Sequence, residues 1–151
     1  MSESDLRDLY QEVILEHGRR PLHAGRPERY DAAAKGDNPM CGDRIELFVS
    51  FGADGGIADA RFVARGCAIS VASADLMAEA VRGRLAATAR TLFDRFRTMV
   101  ASGECPDCDG AMQSLKALAG VHEYPSRVKC ATLPWHTLMA ALDGGGQATS
   151  E

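Results

Sequence analysis

Arg44-Ile45-Glu46-Leu47-Phe48-Val49-Ser50-Phe51, then Gly52-Ala53-Asp54-Gly55-Gly56, then Ile57-Ala58-Asp59-Ala60-Arg61-Phe62-Val63-Ala64-Arg65 is the stretch that decides the fold class. Along the first run Ile45, Leu47, Val49 and Phe51 fall on one face and Arg44, Glu46, Phe48 and Ser50 on the other, the period of a half-buried strand. The Gly- and Asp-rich segment is a turn, and the second run puts Ala58, Ala60, Phe62 and Ala64 on one face, so the pair predicts a β-hairpin. At Gly66-Cys67 the period changes. Ile69, Ala72, Ser73, Leu76, Ala80 and Val81 suit a helix ending near Gly83.

On the N-terminal side, Leu6, Leu9, Tyr10, Val13, Ile14 and His17 form one stripe of an amphipathic helix over residues 5–17. Ser4 is placed to cap its start and Gly18 its end, and Pro21 cannot continue it. Residues 22–40 read as irregular chain with one short strand near residues 30–34 and a turn at Asp37-Asn38-Pro39. On the C-terminal side, Leu92, Phe93, Phe96, Met99 and Val100 mark one helix. Met112, Leu115, Leu118 and Ala119 mark a short one ending at Gly120. A last helix is expected to start at Pro134, with Trp135, Leu138, Met139 and Leu142 on its buried face. The order predicts an α+β fold with helices packed on one face of a small antiparallel sheet. Residues 1–143 read as a single domain and 144–151 as a loose tail.

A chain of 151 residues fits one domain that buries roughly 70% of its unfolded surface, enough for a core without staples. The net charge of −4 and the lack of a Lys/Arg run speak against nucleic acid as a partner. No apolar stretch approaches the roughly 20 residues that span a bilayer. The acidic start Met1-Ser2-Glu3-Ser4-Asp5 is unlike a signal peptide, so the expected location is the cytoplasm. Disulfides are not expected there, and the 5 cysteines need another account.

Cys41 precedes the first clear strand, Asp43 follows it by two residues, Cys67 ends the second strand, and Cys130 precedes the expected last helix. The hairpin carries the chain out from Cys41 and back to Cys67, so both can lie at one end of the sheet. Three thiolates suit a soft or borderline metal such as tetrahedral zinc, with the Asp43 carboxylate as a harder fourth donor. The excess negative charge of such a set could be offset by Arg44, Arg127 and Lys129. Cys67 begins a helix, where free N–H groups and the helix dipole favour a thiolate. No two of these three cysteines form a C-x-x-C pair, so spacing alone leaves open a plain core role for them.

Context decides more than spacing. Asp8-Leu9-Tyr10-Gln11-Glu12-Val13-Ile14-Leu15-Glu16-His17, Asn38-Pro39-Met40-Cys41-Gly42-Asp43-Arg44-Ile45, Gly66-Cys67-Ala68-Ile69-Ser70-Val71-Ala72-Ser73-Ala74 and Arg127-Val128-Lys129-Cys130-Ala131-Thr132-Leu133-Pro134-Trp135 resemble, in order and spacing, the SufU branch of the U-type iron–sulfur assembly family that includes IscU. The resemblance runs from about residue 5 to 142. It implies a three-stranded antiparallel sheet packed with about five helices, and one zinc per chain held by Cys41, Asp43, Cys67 and Cys130. Lys129 stands where the IscU branch has histidine. The stretch between Gly83 and Pro125 resembles the SufU insertion. Residues 124–129 replace the family's Hsp70-binding segment, which leaves such a chaperone without support.

The activity implied is that of a zinc-dependent sulfur acceptor, a sulfurtransferase-like partner of a SufS-type cysteine desulfurase. Cys41 takes persulfide sulfur and the chain passes it to the downstream SUF assembly machinery. The alternative implied by the same ligands is a scaffold on which a [2Fe–2S] cluster is built transiently. A structural zinc module is a third reading, disfavoured by the more labile Asp43. A monomer is the default expectation. Cys105-Pro106-Asp107-Cys108 lies outside the family pattern; its spacing permits a metal or redox site, and without a second pair it reads as an incidental, solvent-facing pair. His17 reads as a packed or capping residue, and His136 as a neighbour of the cysteine site.

Overall fold

The structure, a computed structural model, describes residues 3–106 and 108–149, with residues 3–7 and 9 described by their backbone alone. The chain runs α1 (Glu3–Arg19), β1 (Ala32–Asn38), β2 (Asp43–Phe51), β3 (Ile57–Arg65), α2 (Ala68–Val81), α3 (Ala86–Ser102), α4 (Ala111–Leu115), a 3₁₀ segment (Lys116–Glu123), α5 (Pro125–Leu142) and β4 (Gly146–Thr149). The α+β class and the hairpin stand as expected. The first helix is longer than its stripe, so Ser4 and Gly18 lie inside α1 rather than at its ends. The side chains of Ser4, Leu6 and Leu9 lie outside the described residues.

The sheet is corrected from three antiparallel strands to four mixed ones, in the order β3-β2-β1-β4. β1 pairs antiparallel with β2, and β4 runs parallel to β1 from Ala34↔Gly146 to Asp37↔Thr149. Gly-Gln-Ala-Thr holds no branched or aromatic apolar residue except threonine, so it carries no strand signature of its own. The open edge of β1 supplies the pairing instead, because an unpaired strand edge presents a row of free N–H and C=O groups. Gly145 makes the return possible: its φ is +92°, and a Cβ there would press on the Ala33 carbonyl. β1 itself is longer than the expected strand, reaching Asn38.

α5 packs on β1 and β2, and α2 packs on β3. Ile45, Leu47, Val49, Ala60 and Phe62 are buried under them with Trp135, Leu133 and Met77. Ala58 is exposed and Ile57 buried instead, because the β2–β3 register shifts between Ser50 and Phe51. Phe48 also departs from the simple alternation. It is buried although it lies opposite the core-facing set, because Tyr30 and Arg26 of the preceding loop close over it at 4.9 and 5.1 Å.

α2 is buried nearly all round, from Ala72 to Ala78, between α1, α5 and β3. Its alanines and serines let three elements approach it closely. Asp75 anchors α1 to it: one carboxylate oxygen meets His17 Nδ1 at 2.5 Å and the other accepts the His23 N–H at 2.8 Å. Ser73 donates to the Ala131 carbonyl at 2.5 Å and ties α2 to α5. A buried carboxylate is tolerated when both oxygens are used in this way.

The last helix begins at Pro125, not at Pro134. Pro125 occupies the first turn, where its missing N–H costs nothing. Pro134 lies inside the helix, so the carbonyl four residues earlier, that of Cys130, loses its intrahelical donor. Cys130 is therefore on α5 rather than ahead of it. The helix expected to end at Gly120 is split into α4 and the 3₁₀ segment.

Gly36 of β1 is where α5 comes nearest the sheet: a Cβ there would collide with the Thr137 hydroxyl and press on Ile45 and Leu133. Gly36→Val is expected to lower the unfolding free energy by about 1–3 kcal/mol in urea titrations. Lys35→Ala, at the exposed neighbouring position, should stay within about 0.5 kcal/mol of the unaltered chain.

Candidate metal centre

Three elements of the sheet end at the same place. β1 closes on Asn38, and the tight turn to Asp43 carries Cys41, whose N–H donates to the Asn38 carbonyl at 3.2 Å. Asn38 and Asp43 face each other across the ladder, so Asp43 opens β2 directly beneath the turn. β3 ends at Arg65, opposite Arg44, which delivers Cys67 to the N-terminal end of α2 beside Asp43. From above, the second turn of α5 brings Cys130 down onto Asn38.

One ligand atom each from Cys41, Asp43 and Cys130 lies within 4.8 Å of the others. Cys67 Sγ is 3.9 Å from Asp43 Oδ2, and the Cys67 N–H donates to Asp43 Oδ1 at 2.9 Å. All four residues expected from the sequence therefore converge, although Cys67 sits at the edge of the tighter trio. Cys41 and Cys67 are exposed, whereas Asp43 and Cys130 are buried.

Burial pushes the Cys130 thiol up, and the neighbouring Asp43 carboxylate and the Cys67 sulfur push it the same way. It donates to the Ser126 carbonyl at 3.5 Å. Asp43 is 0% exposed, yet among the described residues it has no lysine, arginine or histidine as an ion-pair partner. A buried carboxylate without a cation is costly, and thiols massed round it add to the repulsion once they ionise. A divalent cation would relieve both. Three sulfurs and one carboxylate are a donor set that zinc accepts in a tetrahedron. The group could hold a metal ion.

Asn38 belongs to this cluster as well, which its reading as a turn residue did not reveal. It is fully buried, its amide nitrogen is 3.9 Å from Cys130 Sγ, and its Oδ1 has no hydrogen-bond partner among the described residues. Two of the three expected charge compensators have other partners. Arg44 pairs with Asp37 at 3.7 Å and Arg127 lies over the Tyr124 ring. Only Lys129 reaches the rim, with Nζ 3.9 Å from the sulfur of Met40, next to Cys41. His136 is turned into the helix layer, its ring edge-on to Phe93, where burial holds its basicity down and the Arg97 charge adds to this.

The model of the NifU-like N-terminal domain family matches residues 9–131. The chain belongs to that family. Among curated relatives, the iron–sulfur cluster assembly scaffold protein IscU of Streptococcus pyogenes serotype M1 is 38% identical over 98% of this chain and 91% of its own length. The zinc-dependent sulfurtransferase SufU of Bacillus subtilis (strain 168) is 37% identical over 94% of this chain and 97% of its own. A crystal structure from Fervidobacterium islandicum AW-1, described as a candidate iron–sulfur cluster assembly scaffold for the SUF system, superposes with a TM-score of 0.80 at 30% identity, covering 93% of this chain and 99% of that one. A role in iron–sulfur cluster assembly follows from this membership. No helix among the described residues is long and apolar enough to cross a membrane.

Gly66 holds the carboxylate in place. Its φ is +150°, and a Cβ there would run into the Asp43 side chain and backbone. Gly66→Ala is therefore expected to displace Asp43 and weaken metal affinity by about tenfold or more, measured by competition with a chromophoric chelator, with the far-ultraviolet circular dichroism unchanged.

Proposed function

We propose that this protein is a zinc-dependent sulfur acceptor of the cytoplasm that takes persulfide sulfur from a SufS-type cysteine desulfurase onto Cys41. The observation that carries this reading is an asymmetry within one group of donors. Asp43 and Cys130 are buried and held by strand and helix, and exposed Cys67 is tied to Asp43 through its N–H, whereas Cys41 is exposed on a turn beside Gly42, whose φ is +70°. Such a set can keep its inner members as anchors while the outer one meets a partner.

Zinc held by Cys41, Asp43, Cys67 and Cys130 would keep the cysteines as thiolates at neutral pH. Cys41 Sγ then attacks the terminal sulfur of the desulfurase persulfide. A sulfur–sulfur bond forms on Cys41 as the donor's sulfur–sulfur bond breaks, and the donor cysteine leaves as its thiolate. The electrons balance without an oxidant. Exposed Met40, next to Cys41, and the rim cation Lys129 give the edge of the site the mixed apolar and basic character of a surface that a docking protein would cover. The sulfur would pass from Cys41 to the downstream SUF machinery, with the chain acting as a monomer. The pyridoxal phosphate of the reaction belongs to the desulfurase.

The scaffold reading, in which the same donors hold a transient [2Fe–2S] cluster, is favoured by one observation, the name and 38% identity of the Streptococcus pyogenes relative. Metal analysis and a desulfurase assay separate the two. One zinc per chain, with cysteine-dependent sulfide production stimulated by the chain and lost in Cys41→Ser, is the expected result. A stable cluster with no zinc and no stimulation would replace the acceptor reading with the scaffold.

Zinc binding has a pH signature of its own. Burial keeps Cys130 a neutral thiol at pH 7, well below even the ordinary thiol value of 9.0, so its ligation must expel a proton. Affinity of the metal-free chain for zinc is expected to rise with pH, and titration calorimetry in two buffers of different ionisation enthalpy should show net proton release.

A further inference from the structure

The Cys105–Cys108 pair lies outside the metal centre and has no part in the function proposed above. The two sulfurs are joined in a disulfide in the loop between α3 and α4, while Cys41, Cys67 and Cys130 are free. This corrects both the expectation of no disulfide and that of a solvent-facing pair, since both residues are half-buried and pack against the core. Asp107 between them lies outside the described residues. As a disulfide the pair offers no thiolate to a metal, so of the two chemistries its spacing permits, redox exchange is the one the structure favours.

We infer that Cys105 and Cys108 form a thiol–disulfide exchange centre, distinct from the Cys41 site, that takes electrons from a dithiol. Three observations carry it. The bond spans a sequence separation of 3, so it removes little chain entropy from the unfolded state and is a weak staple. Cys105 forms part of the wall of an open cleft of about 330 Å³ with Pro106, Thr98 and Glu104, whereas Cys108 does not line it, which makes Cys105 the cysteine that an incoming thiolate meets first. The reduced state is already accommodated: Cys108 Sγ lies 3.5 Å from the Met112 carbonyl, which would accept the hydrogen of a Cys108 thiol.

These features set the order of events. The thiolate of the dithiol attacks Cys105 Sγ, a mixed disulfide forms there, and the Cys105–Cys108 bond breaks with Cys108 leaving as a thiolate that is then protonated. The second thiol of the reductant attacks its own sulfur in the mixed disulfide, closes the reductant's disulfide and frees Cys105. Two electrons and two protons pass to the protein, and the dithiol is oxidised. A monothiol such as glutathione follows the same first step but needs a second molecule to finish.

The test uses the full chain under native conditions. Dithiothreitol or reduced glutathione is added, thiols are blocked with N-ethylmaleimide, and the peptide spanning residues 105–108 is followed by mass spectrometry. Dithiothreitol should reduce the pair completely with unchanged circular dichroism, and transfer to oxidised glutathione should restore it. With oxidised glutathione, Cys108→Ser is expected to form the mixed disulfide at Cys105 at least about tenfold faster than Cys105→Ser forms it at Cys108, because access differs. Reduction only in denaturant would overturn the inference, and so would equal trapping of the two single variants. The reduction arm needs no substitution, so misfolding of a variant cannot hide the answer.

Discussion

The Cys67 amide donates to Asp43 Oδ1 at 2.9 Å, and that contact joins the start of β2 to the start of α2. The rest of the site is arranged around it. Asp43 can sit fully buried because the backbone satisfies one of its oxygens, and the other is left turned toward sulfur. Gly66 is required beside it, since any side chain there would occupy the space of the carboxylate. The turn carrying Cys41 hangs from the same ladder, whose last pair is Asn38↔Asp43. A change that moves Asp43 therefore moves the cysteines on either side of it.

The second constraint is the central helix. α2 is enclosed by α1, α5 and the sheet, and small residues along it let each of them approach. Two polar contacts give this close packing its register. Asp75 holds the end of α1 through His17 and the following loop through the His23 amide, and Ser73 holds α5 through the Ala131 carbonyl. The alignment of α5 matters beyond stability. Ala131 adjoins Cys130, so the hydrogen bond that fixes the helix against α2 also fixes the height of the buried thiol above the sheet.

Family membership and site chemistry answer different questions. Two relatives of nearly equal identity carry names for different activities, one a scaffold and one a zinc-dependent sulfurtransferase. Overall similarity cannot choose between them. The site itself adds that Asp43 and Cys130 are buried whereas Cys41 and Cys67 are exposed, so two of the donors can be reached from outside. The disulfide in the α3–α4 loop is a separate matter, since it belongs to residues outside the motifs that define the family resemblance.

Much of this was legible in the sequence. The alternation of Ile45, Leu47, Val49 and Phe51 with Arg44, Glu46 and Ser50 fixes a strand because a one-residue slip would turn that apolar set away from the core, and the change of period at Cys67 marks the helix. The four motifs carry Cys41, Asp43, Cys67 and Cys130 as candidate ligands. Other features depend on partners distant in sequence. The strand at Gly146–Thr149 exists because β1 has an open edge, not because its residues favour extension. Asn38 joins the site because α5 lowers Cys130 onto it. His17 is an anchor because Asp75 is buried beneath it. Pro134 can be internal because packing on both sides sustains the helix past a missing hydrogen bond. Local periodicity and motif chemistry are properties of short stretches and can be read in one dimension. Edge pairing, burial of a polar group and the convergence of sulfurs are properties of surfaces that meet only when the chain has folded.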